Sequence, residues 1–229
     1  MENDISLPEI IIIDKPKGIT SFDVIRILRK NLGIKKIGHA GTLDPLATGL
    51  LLVGVGSGTK KLHSLVGLPK TYRVEILFGK RTATGDMEGE ILEQKEKFEI
   101  EDGALKVALQ KLIGKLKIPV PIYSAIKKDG IPLYKKARKG EEVIPPVREM
   151  EIFEVRMLQQ NKNKEEYVVT VEMDVASGVY VRSVVEELGR ILDVPSTVKE
   201  LRRTKIGDFN VKDAKILDFN REDFKCFRK

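Results

Sequence analysis

A single carboxylate stands in the segment GHAGTLDPLATG, which covers positions 38–49. Asp44 lies between Leu43 and Pro45, and the residue before a proline is held in extended backbone rather than in a helix. The glycines of the segment allow tight turns and a close approach to another molecule. An ionised, fixed carboxylate can act as a nucleophile, but an aspartate in a turn more often accepts local backbone hydrogen bonds. The segment alone favours the structural turn, and a catalytic Asp44 needs a cationic partner from elsewhere in the chain.

Arg182 is the candidate for that cationic partner. It follows SGVY at the start of a predicted helix, where the helix dipole mildly opposes a positive charge. A plain surface arginine is the alternative of about equal weight. Tyr72 and Tyr180 are the aromatic candidates. Each is either a core residue or a flat ring that stacks on a base, with its hydroxyl free for proton transfer.

His39 and Asp86 are weaker candidates. A loop histidine and a solvated turn aspartate are their default interpretations. Many of the acidic residues gather over 86–102, which predicts a solvated face turned away from any polyanion. The stretch PVPIYSAIKKDG at 119–130 mixes prolines, one aromatic ring and basic residues, and weakly indicates a loop that lies on nucleic acid.

Composition and charge narrow the function classes. The chain has 229 residues and a formal net charge of +7, which modestly favours a polyanionic partner. A soluble protein that is merely basic is the equally weighted alternative. No apolar run approaches the roughly 18 residues of a membrane span, and the start of the chain lacks a signal-peptide pattern. Cys226 is the one cysteine and there are two histidines, so we expect no internal disulfide, no zinc site and a reducing, cytoplasmic location.

Periodicity predicts the elements that position these residues. Strands are predicted over 10–13, 50–55, 71–78, 90–93, 153–157 and 167–175. Helices are predicted over 21–32, with Ser21 as the cap, and over 100–113, 133–138 and 181–192. Loops are predicted over 38–49 and 79–89, a strand connection over 159–166, and strands with a short helix over 198–219. The order predicts an α+β fold with a mixed, largely antiparallel central sheet flanked by helices. We expect one domain over 1–229, with room for an inserted lobe near 100–145.

Six segments, in this order, resemble motifs of the TruB-type tRNA pseudouridine synthases. They are IIIDKPKGITSFDVI (11–25), GHAGTLDPLATGLLLVGVGSGTK (38–60), KTYRVEILFGKRTATGDMEGEI (70–91), PIYSAIKKDGIPLYKKARKG (121–140), SGVYVRSVVEELG (177–189) and LRRTKIGDF (201–209). Together they span nearly the whole chain. The resemblance implies the pseudouridine synthase fold.

The resemblance also implies three catalytic residues. Asp44 matches the catalytic aspartate of the family. Tyr72 matches the tyrosine that stacks under the target uracil and serves as a base. Arg182 matches the arginine that pairs with the aspartate.

Five substrate-binding residues follow from the same resemblance. His39 matches the histidine that helps to hold the flipped-out nucleotide region, and Asp86, Tyr180 and Leu201 match residues that line the pocket. Lys15 matches the lysine of the opening KP motif, in a supporting role.

This sequence departs from the family in ways that leave those residues in place. Ala40 stands where threonine is common, Val120 where proline is common, and SGVY replaces KGTY or PGTY. The chain ends 20 residues after LRRTKIGDF. We therefore expect a member without the C-terminal RNA-binding PUA domain, which leaves its grip on the tRNA to be explained.

The implied activity is conversion of uridine 55 in the TΨC loop of tRNA to pseudouridine, with the target base flipped out. This reaction involves no redox change, so we expect no metal and no cofactor. The implied partner is the T arm of tRNA, bound by a monomer that needs no protein partner and no membrane. Three rivals stay open: a guide-RNA-dependent pseudouridine synthase subunit, a tRNA-folding chaperone without catalysis, and a small-molecule enzyme with an aspartyl nucleophile.

Overall fold

The computed structural model describes residues 7–128, 130–141, 143–163 and 166–216. Within them the strands are β1 (Ile10–Lys15), β2 (Ile37–Ala40), β3 (Thr48–Val55), β4 (Lys70–Phe78), β5 (Lys80–Thr82), β6 (Ile91–Gln94), β7 (Gly114–Pro119), β8 (Lys127–Lys128), β9 (Ile131–Pro132), β10 (Val147–Lys162), β11 (Tyr167–Val175), β12 (Ser196–Ile206), β13 (Phe209–Asn210) and β14 (Lys215–Ile216). The α-helices are α1 (Ser21–Leu32), α2 (Leu62–Val66), α3 (Asp102–Lys111), α4 (Leu133–Arg138) and α5 (Val181–Leu192), and short 3₁₀ helices cover Gly56–Lys60 and Val211–Asp213.

The chain forms two compact units. One, here the terminal unit, comprises Met1–Tyr72 and Leu201–Lys229, and the other, the central unit, comprises Arg73–Glu200. The unit boundaries fall inside β4 and β12. The single domain with an inserted lobe near 100–145 stays a prediction.

In the terminal unit, β3 is the strand around which the sheet is built. It pairs antiparallel with β1 and with β2, and parallel with the end of β12, while β14 runs parallel to β1. Leu51 and Val53 face one cluster and Leu50 and Leu52 the other, so β3 is buried on both faces. The first cluster contains the apolar stripe of α1, which is Val24, Ile25 and Leu28.

The cap of α1 differs from the prediction. Thr20, not Ser21, is the N-cap, because its side chain accepts from the Asp23 N–H while the Asp23 carboxylate accepts from the Thr20 N–H. Gly33 ends the helix in the left-handed conformation. Ser21 is 1% exposed and its hydroxyl is used elsewhere, as described below.

In the central unit, the strand order is β4, β11, β10, β7. The pairs of β10 with β11 and with β7 are antiparallel. Helix α5 buries its apolar face, which is Val181, Val184, Val185 and Leu188. Two antiparallel pairs, β5 with β6 and β8 with β9, stand beside this sheet.

The predicted fold class is confirmed: the sheet is mixed and largely antiparallel, with helices against it. The predicted helices over 133–138 and 181–192 also have the predicted bounds. Of the acidic stretch over 86–102, residues 90–97 are all exposed as predicted, whereas Asp86 and Ile100 are buried. In the described residues no helix is long and apolar enough to cross a membrane.

Three predicted loops are shorter than expected, because backbone pairing does not depend on side-chain polarity. The loop over 38–49 shrinks to 41–47, since β2 pairs with β3. Part of 79–89 is strand β5. The polar connection over 159–166 begins only after Lys162, which still pairs with Tyr167. Residues 217–219 of the predicted C-terminal stretch and Cys226 lie outside the described residues.

Candidate functional site

Asp44 lies in the loop over 41–47, and the structure fixes this loop on the N-terminal side of the aspartate. The Leu43 N–H donates to the Ser21 Oγ at 2.8 Å, and the Ser21 hydroxyl lies 3.2 Å from the Leu43 carbonyl. The Asp44 carbonyl accepts from the Ala47 N–H at 3.1 Å, which closes a turn. The half-buried Asp44 is therefore attached to the first turn of α1 through its neighbour.

The C-terminal side of Asp44 is fixed through Pro45. The Pro45 carbonyl accepts from the Gly18 N–H at 2.9 Å and from Lys15 Nζ at 3.4 Å. Lys15 is fully buried, and its ammonium also donates to the carbonyls of Pro16 at 2.8 Å and Ile19 at 2.7 Å. The lysine of the KP motif thus ties its own turn to the loop of the aspartate.

Tyr72, 7% exposed at the end of the terminal-unit part of β4, meets an arginine that the sequence patterns did not single out. Its hydroxyl oxygen lies 3.5 Å from Nη1 of Arg203, which is 1% exposed. Arg203 Nε donates to the Leu50 carbonyl at 2.8 Å and Nη2 to the Gly41 carbonyl at 2.9 Å. A usable signal existed in the sequence: Arg203 stands two residues after Leu201 in a predicted strand and so shares its face.

The electrostatics of the terminal unit follow from burial and from Arg203. Burial, and secondly the Arg203 charge, lower the pKa of His39 below its usual value. The same two causes lower the pKa of Lys70 to about 8. His39 Nδ1 is buried, and no hydrogen-bond partner for it exists among the residues that the structure describes. Both groups are therefore driven toward their neutral forms.

Leu201 is buried and Tyr180 is half-buried. Leu201 is 6% exposed in β12, and its carbonyl accepts from the Thr48 hydroxyl at 3.5 Å. Tyr180 precedes α5 as its N-cap residue, and its N–H donates to the Met150 sulfur at 3.5 Å.

Arg182 is not a surface arginine, because it is 4% exposed in the first turn of α5. Nη1 donates to the Thr84 carbonyl at 2.6 Å and Nη2 to the Tyr123 carbonyl at 3.0 Å. Nε lies 3.9 Å from Oδ2 of Asp86. These contacts place the guanidinium between the segment after β5 and the segment after β7.

Asp86 is not a solvated turn aspartate, since it is 4% exposed. Its Oδ1 accepts from the Thr84 hydroxyl at 2.5 Å and from the Glu88 N–H at 3.1 Å. The prediction that Asp86 accepts local hydrogen bonds in a turn is confirmed, and the prediction that its side chain is solvated is wrong. The second oxygen faces Arg182, so the two residues form a buried charge pair.

The predicted site residues divide between the two units. Lys15, His39, Asp44, Tyr72 and Leu201 belong to the terminal unit, and Asp86, Tyr180 and Arg182 to the central unit. Arg203 links Tyr72 with the beginning of the Asp44 loop inside the first group. Asp86 and Arg182 meet inside the second. The pairing of Asp44 with Arg182 stays a prediction.

A family model matches most of the chain. The model described as TruB family pseudouridylate synthase (N terminal domain) matches residues 29–181. Of the predicted site residues, that range includes His39, Asp44, Tyr72, Asp86 and Tyr180.

Two curated bacterial proteins are similar over most of this chain. A protein named tRNA pseudouridine synthase B, from Carboxydothermus hydrogenoformans, is 41% identical over 211 residues, which cover 92% of this chain and 72% of that protein. The protein of the same name from Fusobacterium nucleatum is 43% identical over 202 residues, with coverage of 88% and 69%.

Solved structures show the same fold at lower identity. A Cbf5–Nop10–Gar1 complex matches with a TM-score of 0.70 at 23% identity, covering 95% of this chain and 58% of that chain. An H/ACA RNP bound to a substrate RNA containing 2′-deoxyuridine matches with a TM-score of 0.66 at 22% identity, with coverage of 90% and 50%. This chain therefore spans 58% of the first and half of the second, and the likeness concerns the fold alone.

Proposed function

This chain belongs to the TruB family of pseudouridylate synthases, and on that premise we propose that it converts uridine 55 in the TΨC loop of tRNA to pseudouridine. The relatives named tRNA pseudouridine synthase B support tRNA as the substrate. We propose the T arm as the partner, bound in the cytoplasm by a monomer that needs no protein partner.

The reaction is an isomerisation. The bond between N1 of uracil and C1′ of the ribose breaks, the uracil turns, and C5 bonds to C1′. C5 loses its hydrogen as a proton and N1 gains a proton, so the composition is unchanged. A base inside an RNA loop must first leave its stack, which costs a few kcal/mol. Stacking of the flipped uracil on the Tyr72 ring offsets part of that cost.

The observation that carries the proposal is how Asp44 is held. Its neighbours Leu43 and Pro45 are both hydrogen-bonded to the segment that runs from Lys15 into α1. A carboxylate on a loop fixed at both sides suits a nucleophile or a base, since neither role tolerates a mobile group. Two routes are open: attack of Asp44 at C1′ or at uracil C6, or elimination to a glycal with proton transfer at C2′.

The remaining site residues take the roles that the family resemblance implies. Arg182 pairs with the Asp44 carboxylate and orients it. Tyr72 supplies the aromatic floor and a base. The substrate-binding residues in this proposal are His39, Asp86, Tyr180, Leu201 and Lys15.

The test is modification of an unmodified tRNA transcript by the purified protein alone, with pseudouridine mapped by chemical adducts and primer extension. We expect one stop, at uridine 55. Asp44→Asn should abolish turnover while tRNA binding persists in a filter assay. Asp208→Asn is the matched control, since Asp208 is an exposed aspartate of the same unit.

Other outcomes identify the rivals. Modification that requires a guide RNA and added protein would indicate a guide-RNA-dependent subunit. Refolding of misfolded tRNA without any modification would indicate a chaperone. Substantial turnover by Asp44→Asn would contradict the catalytic assignment of Asp44.

A further inference from the structure

Arg203 carries a buried charge that the catalytic assignments leave unused. It is 1% exposed, and its hydrogen-bond partners among the described residues are two backbone carbonyls and one hydroxyl, with no carboxylate within ion-pair distance. An unpaired buried charge is expensive, and an apolar side chain would fill the same space at lower cost. Such a residue is a candidate for a role beyond stability.

The donors of Arg203 reach three oxygens that belong to different segments. Nε donates to the carbonyl of Leu50 on β3, and Nη2 donates to the carbonyl of Gly41 at the beginning of the Asp44 loop. Nη1 faces the Tyr72 hydroxyl. The guanidinium is planar, with its donors at fixed angles, so it sets the position of Tyr72 relative to that loop. A lysine ammonium has no such fork.

The surrounding backbone is shaped to admit this arginine. A Cβ on Gly41 would lie 3.3 Å from Arg203 Nη1, and a Cβ on Gly49 would lie 2.2 Å from the Arg203 carbonyl oxygen. Both glycines have positive φ, at +77° and +101°. Gly41 therefore leaves room for the Arg203 guanidinium, and Gly49 allows the backbone of β3 to approach that of β12 at residue 203.

The contact with Tyr72 also orients the phenol. A guanidinium only donates, so the Tyr72 oxygen must accept from it. The phenolic hydrogen is then free to point toward another molecule. At 3.5 Å the contact is long, and catalytic contacts often tighten when substrate binds.

We propose that Arg203 is a positioning residue for pseudouridine formation: it holds the Tyr72 hydroxyl and the start of the Asp44 loop in one geometry. This inference rests on the proposed function. It concerns a residue that contacts neither base nor sugar in the assignments above and acts through Tyr72 and the loop.

The experiment compares single-turnover rates and tRNA affinity for the full chain and its variants. We expect Arg203→Lys to lower the rate about tenfold or more while the Kd for tRNA stays within about twofold, because geometry is lost and binding is not. Arg202→Lys is the matched control. Arg202 is the half-buried neighbour of Arg203 and pairs with Asp14, so the rate of this variant should stay within about twofold of the wild-type rate. Circular dichroism and thermal unfolding establish that each variant is folded.

A double-mutant comparison separates positioning from general damage. In a Tyr72→Phe background, Arg203→Lys should lower the rate less than it does in the wild type, since the Tyr72 hydroxyl is gone and only the contact with the Gly41 carbonyl is left to lose. Equal losses in both backgrounds, or an unchanged rate in folded Arg203→Lys, would overturn the inference. If Arg203→Lys does not fold, the rate of Tyr72→Phe is the test. A wild-type rate in Tyr72→Phe would overturn the positioning role of Arg203, because the hydroxyl that Nη1 faces would then have no part in catalysis.

The same assay distinguishes this failure from failure of the proposed function. A wild-type protein that modifies no tRNA overturns the proposed function, and the positioning role with it. An active wild type with an unaffected Arg203→Lys overturns only the role of Arg203.

Discussion

Lys15, Arg182 and Arg203 are three buried cations whose donors bind mainly backbone carbonyl oxygens. They are 0%, 4% and 1% exposed. Carbonyl dipoles offset part of the cost of removing these charges from water. Because the carbonyls lie on separate segments, each cation fixes one segment relative to another. At the scale of the residue, then, these charges hold the loops that carry candidate catalytic groups.

Lys70 makes a prediction about pH and stability. Its pKa is lowered to about 8 in the folded protein, first by burial and then by Arg203, while the unfolded chain keeps a value near 10.5. Between these two values the unfolded state binds more protons than the folded state. The free energy of unfolding should therefore rise with pH from about 8 to 10.5, by up to about 1.4 kcal/mol per pH unit.

Urea unfolding at pH 7 to 10 measures this effect against Lys70→Met, which removes the titrating group. The free energy of unfolding of the wild type, relative to that of the variant, should increase as pH rises. Lys205→Met is the control, because Lys205 is exposed. A difference that is constant across the range would show that Lys70 does not titrate there.

Helix α1 and the Asp44 loop are coupled through one hydroxyl. Since Thr20 and Asp23 form the capping box, the Ser21 side chain is free to bind both backbone groups of Leu43. The first turn of the helix therefore acts as a fixed support for the loop. The coupling belongs to the element scale, because α1 can be fully formed whether or not the loop is held.

Ser21→Ala should lower the single-turnover rate several-fold by releasing Leu43, whose N–H would lose its partner at a cost of about 1–3 kcal/mol. Thr20→Ala is the matched control. Loss of the N-cap should lower the free energy of unfolding by about 1 kcal/mol but leaves the contacts between Ser21 and Leu43 in place. Rates and thermal unfolding of both variants check this. If both variants lose stability and rate in parallel, Ser21 contributes through stability alone.

At the scale of the whole molecule, charge is distributed unevenly. The formal net charge is +7, yet residues 90–97 form an exposed stretch with three glutamates, Glu90, Glu93 and Glu96, and two lysines. Lys127 lies exposed in the stretch over 119–130 that we expect to lie on nucleic acid. A polyanion that binds this protein releases counterions from each phosphate contact.

The affinity for a tRNA transcript should therefore fall steeply with salt. Lys127→Ala removes one phosphate contact and should reduce the slope of log association constant against log salt concentration by roughly 0.7–0.9. Lys97→Ala removes the same charge from the acidic stretch and should leave the slope unchanged. Filter binding from 50 to 300 mM salt checks the pair, and equal slopes for the two variants would contradict the predicted placement of the RNA.

The sequence by itself determined the fold class, many of the helices and strands, and the candidate residues. Periods of 2 and 3.6 residues are local properties, so β4, α4 and α5 were predictable from their own side chains. The ordered motifs pointed to Asp44, Tyr72 and Arg182 through resemblance. Loop lengths were predicted less well, since strands such as β2 exist only because a distant strand pairs with them.

Only the tertiary structure decided which charges are buried and what they hold. Asp86 looked like a solvated aspartate, and Arg203 was not among the candidate residues. Burial of each depends on residues far away in the chain: Arg182 for the aspartate, and Gly41, Leu50 and Tyr72 for the arginine. A charge can enter the interior only where distant segments bring it partners, and no local pattern of residues records that meeting.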